Sequence, residues 1–107
     1  MKAPRITQKQ VNMGLREDLW RHDRHNPAWE GRSCSVLGGS VCFKQERHTG
    51  TKQMLWIVTH YTGVPGSRWA SKTCDTLRDA VAWANDNRQS AVDASAAELG
   101  EDFMERD

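Results

Sequence analysis

Residues 52–63, KQMLWIVTHYTG, constrain the fold more than any other stretch of this chain. Trp56, Ile57, Val58, Thr59 and Tyr61 all favour strands, and both faces of the run are largely apolar. A turn bounds it on each side. His48-Thr49-Gly50-Thr51 precedes it, with Gly50 available for positive φ. Gly63-Val64-Pro65-Gly66 follows it, with Pro and Gly where a tight turn prefers them. A strand held between two tight turns belongs inside an antiparallel meander. This run is expected to be its central strand.

The neighbouring segments extend the same reading. Residues 33–48, SCSVLGGSVCFKQERH, read as extended, and Gly38-Gly39 either splits them into two short pieces or marks a bulge. Val41 and Phe43 fall on one face, Cys42 and Lys44 on the other. Residues 67–73, SRWASKT, form a third strand, with Trp69, Ser71 and Thr73 pointing one way and Arg68, Ala70 and Lys72 the other. A first helix is expected over 7–23, where Thr7 caps and Val11, Leu15 and Leu19 recur at spacing four, extended by Trp20. Gly14 weakens it by about 1 kcal/mol relative to Ala, and Asn26-Pro27 lies beyond its end. A second helix starts at Thr76, with Asp79 three residues on in imitation of a capping box. Leu77, Ala80, Val81 and Ala84 share its apolar face. The pattern fades after Asn87, and Ala-rich residues 91–99 suggest a separate short helix. The expected fold is α+β in the order α-β-β-β-α, a three-stranded antiparallel sheet with helices packed on one face. Residues 1–90 form the domain and 91–107 an acidic, partly helical or flexible tail.

Composition narrows the function classes. At 107 residues and 37% hydrophobic content the chain holds one core, with little room for a deep catalytic cavity. Five Trp supply volume that the few Leu, Ile and Phe do not. There is no run of about 18 apolar residues and no apolar stretch of the signal-peptide kind near the start, so neither a membrane partner nor secretion is expected. Three cysteines, an odd number, exclude a complete disulfide framework within one chain and point to a cytoplasmic protein. The net charge of +1 hides an asymmetry: residues 1–90 carry 14 basic and 8 acidic side chains, residues 91–107 one and six.

Catalytic and metal patterns are thin. His22 and His25 are the only closely spaced ligand pair, and Cys34 and Cys42 are too far apart for a zinc knuckle, so no metal and no cofactor is expected. Cys74 stands before the second helix and near Lys72, the setting that comes closest to an activated thiol, but a strand-end cysteine packed under a helix reads the same way. Gly38-Gly39 lacks the Lys-Ser/Thr of a phosphate loop. The chain is expected not to be an enzyme. Binding is better represented. A sheet face that combines cations with flat rings suits nucleic acid, because cations neutralise phosphates and rings stack on bases. Arg68 and Lys72, two positions apart on one expected strand face, are the leading phosphate contacts, with Trp69 as a flat contact and Lys44 and Lys52 on neighbouring strands.

The stretch SRWASKTCDTLRDAVAWAND resembles the end of the AP2-like arm-type DNA-binding domains of phage integrases, in which a three-stranded sheet precedes a helix beginning near T-x-x-E-A with a late Trp. Thr76-Leu77-Arg78-Asp79-Ala80 and Trp83 are the matching residues. The resemblance implies DNA read by the sheet, through Arg68, Lys72, Trp69 and Lys44, and makes DNA a better expectation than RNA. The helix–three strands–helix order is also similar to that of double-stranded-RNA-binding domains, but Asp75, Thr76 and Asp79 stand where their Lys-rich helix start would be. A second class fits the size and the Trp content: small phage or mobile-element proteins, anti-CRISPR proteins among them, that bind and inhibit a host protein complex. There the tryptophans anchor an interface and the acidic tail meets a basic groove. A homodimer through an exposed strand edge is a third use of the same surface.

Overall fold

The computed structural model describes residues 5–62 and 68–104, with side chains through residue 97. The Gly63–Gly66 turn expected above lies outside them. The elements are α1 (Gln8–Arg16), β1 (Arg21–His22), β2 (Trp29–Val36), β3 (Val41–His48), β4 (Met54–Tyr61), β5 (Arg68–Cys74) and α2 (Leu77–Met104), with one 3-10 turn at Leu37–Gly39. The α+β class holds, but the antiparallel sheet has five strands in the order β1-β2-β3-β4-β5. Of the two readings of residues 33–48, the split at Gly38-Gly39 holds: the pieces belong to two paired strands, β2 and β3. Val36 pairs with Val41, and between them Leu37, Gly38 and Gly39 all take positive φ. Two adjacent glycines make that left-handed path accessible at little steric cost. The apolar run 54–61 is an interior strand as expected, but the middle position belongs to β3. At the β3–β4 turn it is Lys52, not Gly50, that takes positive φ.

Cross-strand pairs share a face, so the register sorts the side chains. One face carries Val36, Val41, Phe43, Val58 and Cys74, which join Ile6, Val11, Leu15, Leu77, Ala80, Val81 and Ala84 in a single core. Both helices cover this face, α1 over β2 and β3, α2 over β4 and β5. Gly14 has a packing reason: a Cβ there would lie 2.8 Å from Cys34 Cβ, so its absence lets α1 sit close on β2. The Cys34 thiol donates to Val11 O at 3.6 Å across that contact.

The first helix ends at Arg16, well short of the expected 23. Leu19 is therefore off the stripe and 74% exposed. The chain turns out of the helix because Asp18 captures partners beyond it. Its carboxylate accepts from Ser33 N at 2.9 Å and pairs with Arg21 at 3.0 Å. Trp20 folds over the far end of the helix-covered face, with the Arg32 and Arg47 guanidiniums 4.6 and 4.1 Å from its ring centre. Arg47 is further held by Glu30, and Arg32 by Gln45.

The second helix does not stop at Asn87. It runs unbroken for 28 residues through Met104, about 42 Å at 1.5 Å per residue, and so overhangs strands of seven or eight residues. Ala91 remains buried beyond the expected end. Thr76 caps it as its sequence predicts, accepting from Asp79 N at 3.1 Å. Thr76→Ala is expected to cost about 1 kcal/mol, read as a lowered Tm in a thermal melt. The amino-terminal segment is tied to this helix by one side chain. Asn85 accepts from Ile6 N at 2.8 Å and donates to Ile6 O at 2.9 Å. Asn85→Ala removes both bonds from a part-buried backbone and is expected to cost about 1–2 kcal/mol. Hydrogen exchange at Ile6 would rise more than at Val58, which separates local release from general loss of stability.

Candidate interface on the open sheet face

No described element covers the other face of the sheet. Strand alternation and register place Trp29, Gly31, Ser33 and Ser35 of β2 there, then Cys42, Lys44, Glu46 and His48 of β3, and Leu55, Ile57, Thr59 and Tyr61 of β4. Arg21 joins them from β1, opposite Gly31. On β5 the register shifts between His60 and Tyr61, so Arg68 pairs with Tyr61 while Ala70 pairs with His60 and Lys72 with Val58. That bulge corrects the expected β5 faces. Arg68 lies on the open face, whereas Lys72 lies on the helix-covered face, beside Asp75, Asp79 and Asp86 in a cleft against α2. The two cations expected to act together are on opposite sides of the sheet. Trp69 also leaves the open face: its ring meets His60 edge-on, with centroids 6.1 Å apart.

Of the five residues nominated from sequence, Lys44 and Arg68 share the open face. Lys52 is exposed in the β3–β4 turn. Sequence reasoning missed Arg21, Trp29 and Gly31, because Arg21 falls within the expected helix 7–23 and residues 28–32, between the Asn26-Pro27 turn signal and the extended run from 33, carry no expected element. The alternation of Trp29, Gly31, Ser33 and Ser35 against Arg32, Cys34 and Val36 is the signal that could have found the strand.

Gly31 leaves a notch in the open face between Arg21 and Glu46. A groove of about 210 Å³ runs over it, lined by Arg21, Asp23, Trp29, Ser33, Lys44 and Glu46 among others. Trp29 stands at one end, edge-on to His48 at 5.1 Å. The charges in the groove alternate in sign. Lys44 bridges to Glu46 at 3.3 Å, and its charge also favours the ionised form of Asp23. Backbone N–H groups of His25 and Asn26 hold the Asp23 carboxylate below its usual range, chiefly the first at 2.7 Å. The centre of the face is apolar instead: Leu55 and Ile57 follow one another along β4, with Cys42 diagonally adjacent, and all three are half-buried.

The thiols are not activated. Burial pushes Cys34 up to about 11 and raises Cys42 and Cys74 as well, opposite to what a nucleophile needs. Cys74 is a core residue, 6% exposed under α2. Among the described residues no three His, Cys, Asp or Glu side chains converge to hold a metal ion, and no helix is long and apolar enough to cross a membrane. No protein-family model, curated protein or solved structure matches the chain.

Proposed function

We propose that this chain is a non-enzymatic binding protein whose open sheet face engages a protein partner, as an inhibitor or adaptor of a larger assembly. The composition of that face carries the reading. Leu55 and Ile57 form an apolar centre, Trp29 is a ring at one end, and the rim mixes Arg21, Lys44 and Arg68 with Asp23 and Glu46. An apolar middle with a rim of both signs is how protein interfaces are built. A phosphate backbone wants cations without acids beside them, and here Lys44 has Glu46 and Arg21 has Asp18.

Nucleic acid is the second reading, and one observation favours it. Arg68 is exposed, has no carboxylate partner among the described residues, and lies opposite Tyr61 on the same face as Lys44. The resemblance to AP2-like domains implies the same surface. Fluorescence anisotropy with labelled single-stranded DNA, duplex DNA and duplex RNA at two salt concentrations separates the readings. Salt-sensitive binding that weakens in Arg68→Ala would replace the protein-partner reading with the nucleic-acid one.

A further inference from the structure

A second site lies at one end of the sheet, where Tyr61 and Thr62 at the end of β4 meet the middle of α2. A pocket of about 230 Å³ there is lined by Ser40, Tyr61, Thr62, Arg88, Val92 and Ser95. One side chain in it is charged, and four carry hydroxyls. Arg88 is half-buried and its Nε–H is fully buried, with no hydrogen-bond partner among the described residues. None of the ion pairs among the described residues includes it. Its neighbours one turn away on α2 are Ala84, Asn85, Ala91 and Val92, none of them acidic. His60 works against it: the Arg88 charge disfavours a proton on that ring, and both groups are partly or wholly desolvated.

A buried guanidinium N–H without an acceptor is a costly arrangement, since buried donors are ordinarily paired. The same arrangement is what an anion site needs. A guanidinium offers parallel N–H donors matched to two oxygens of one oxyanion, and hydroxyls donate to whatever oxygens remain. Thr62 and Ser95 each already take part in an interaction of their own, so a ligand would add to contacts they already make. The lining comes from three places in the chain: Ser40 just before β3, Tyr61 and Thr62 at the end of β4, and Arg88 and Ser95 on α2. That suits a tetrahedral oxyanion better than a planar carboxylate. We propose that this pocket binds the phosphate group of a small molecule, with Arg88 as its principal contact and Ser40, Thr62 and Ser95 as its hydroxyl wall. The proposal does not depend on what the open sheet face binds.

The test follows the Arg88 Nε–H resonance by ¹H–¹⁵N NMR while inorganic phosphate, acetate or chloride is added to the full chain at constant ionic strength. Phosphate is expected to shift that resonance and the amides of Ser40 and Thr62 along a saturating curve, and to raise Tm above the chloride control. Chloride is expected to give no saturating shift, and acetate a curve at least tenfold weaker. Arg88→Gln is expected to fold, since it removes an unpaired charge, and to lose the phosphate effect on Tm. Arg88→Lys keeps the charge without the fork, and weaker phosphate binding in it supports the assignment even should Arg88→Gln unfold. A wild-type resonance that fails to saturate, or a phosphate effect on Tm no larger than that of chloride, overturns the site. Acetate binding as tight as phosphate overturns the tetrahedral assignment.

Discussion

Below neutral pH the protein is expected to lose stability as acid is added, and His60→Gln to flatten that loss. His60 is fully buried between Trp69 and Trp83, with its ring 5.4 Å from that of Trp83. Its Nε2 lies 3.0 Å from Ala84 O, and because a carbonyl only accepts, that nitrogen carries the proton. Nδ1 is buried without a partner. Burial is the main reason the imidazole resists protonation, and the Arg88 charge adds to it. The bond to Ala84 O opposes both, and the result lies below the ordinary value of 6.5. Well above pH 6.5 the ring is neutral folded and unfolded, and it contributes no pH dependence. Below that, the unfolded chain takes up a proton that the folded chain refuses. One proton is worth about 1.4 kcal/mol per pH unit, and the loss continues until pH passes the folded value. The window is distinct from that of Asp18 and Asp23. Backbone hydrogen bonds hold both carboxylates below 3.8, so their contribution fades only in stronger acid. Denaturant midpoints at pH 7.5, 6.5, 5.5 and 4.5 measure it. Gln keeps an N–H for Ala84 O and does not titrate. If His60→Gln follows the wild-type profile, the imidazole is not the group that senses acid.

The same histidine shows how far the sequence could be read. The run 54–61 was legible as a strand because its β-branched and aromatic residues leave little else available. The Thr76 cap was legible because it is local: one hydroxyl, three residues from its donor. The pairing of β2 with β3 through Gly38-Gly39 was half-legible, since adjacent glycines permit either a bulge or a left-handed turn and only the Val36–Val41 pairing decides. What could not be read were the consequences of contacts distant in sequence. The first helix stops at Arg16 because Asp18 finds Ser33, and nothing in residues 7–23 announces that. Helix α2 passes Asn85 because that residue is occupied with Ile6, 79 positions away. On the candidate interface the error was one of parity. A single register shift after His60 moves Arg68 to the side of the sheet opposite Lys72, and a period-two reading has no means of detecting an extra residue. Trp29 and Gly31 were missed because the extended reading began only at Ser33, four residues inside β2.

That parity correction turns the open face into a sharp experiment. Ile57→Asp puts a charge at the centre of the apolar stripe, and Trp29→Ala removes the ring at its end. Each is expected to weaken a protein complex about thirtyfold or more, the scale of a 2 kcal/mol anchor. Lys72→Ala, on the helix-covered side, is expected to change affinity less than twofold. A photo-crosslinking residue at position 57 is expected to capture one discrete protein in the cells that make the chain, while the same residue at position 78 on α2 captures none. Affinity for that protein can then be measured with each variant. Ile57 is half-buried among cross-strand neighbours on a face that no described element covers, so the substitution spares the core and the fold should survive. Circular dichroism would confirm it. The nucleic-acid reading makes the opposite forecast. Three cations contacting single-strand phosphates would give a salt slope near −2, about a twentyfold loss between 50 and 200 mM salt. Arg68→Ala would lower that slope by about 0.7, and Ile57→Asp would matter little. A complex that keeps its affinity through that salt range but fails in Ile57→Asp supports the apolar centre as the contact. One that dissolves with salt and survives Ile57→Asp assigns the face to a polyanion.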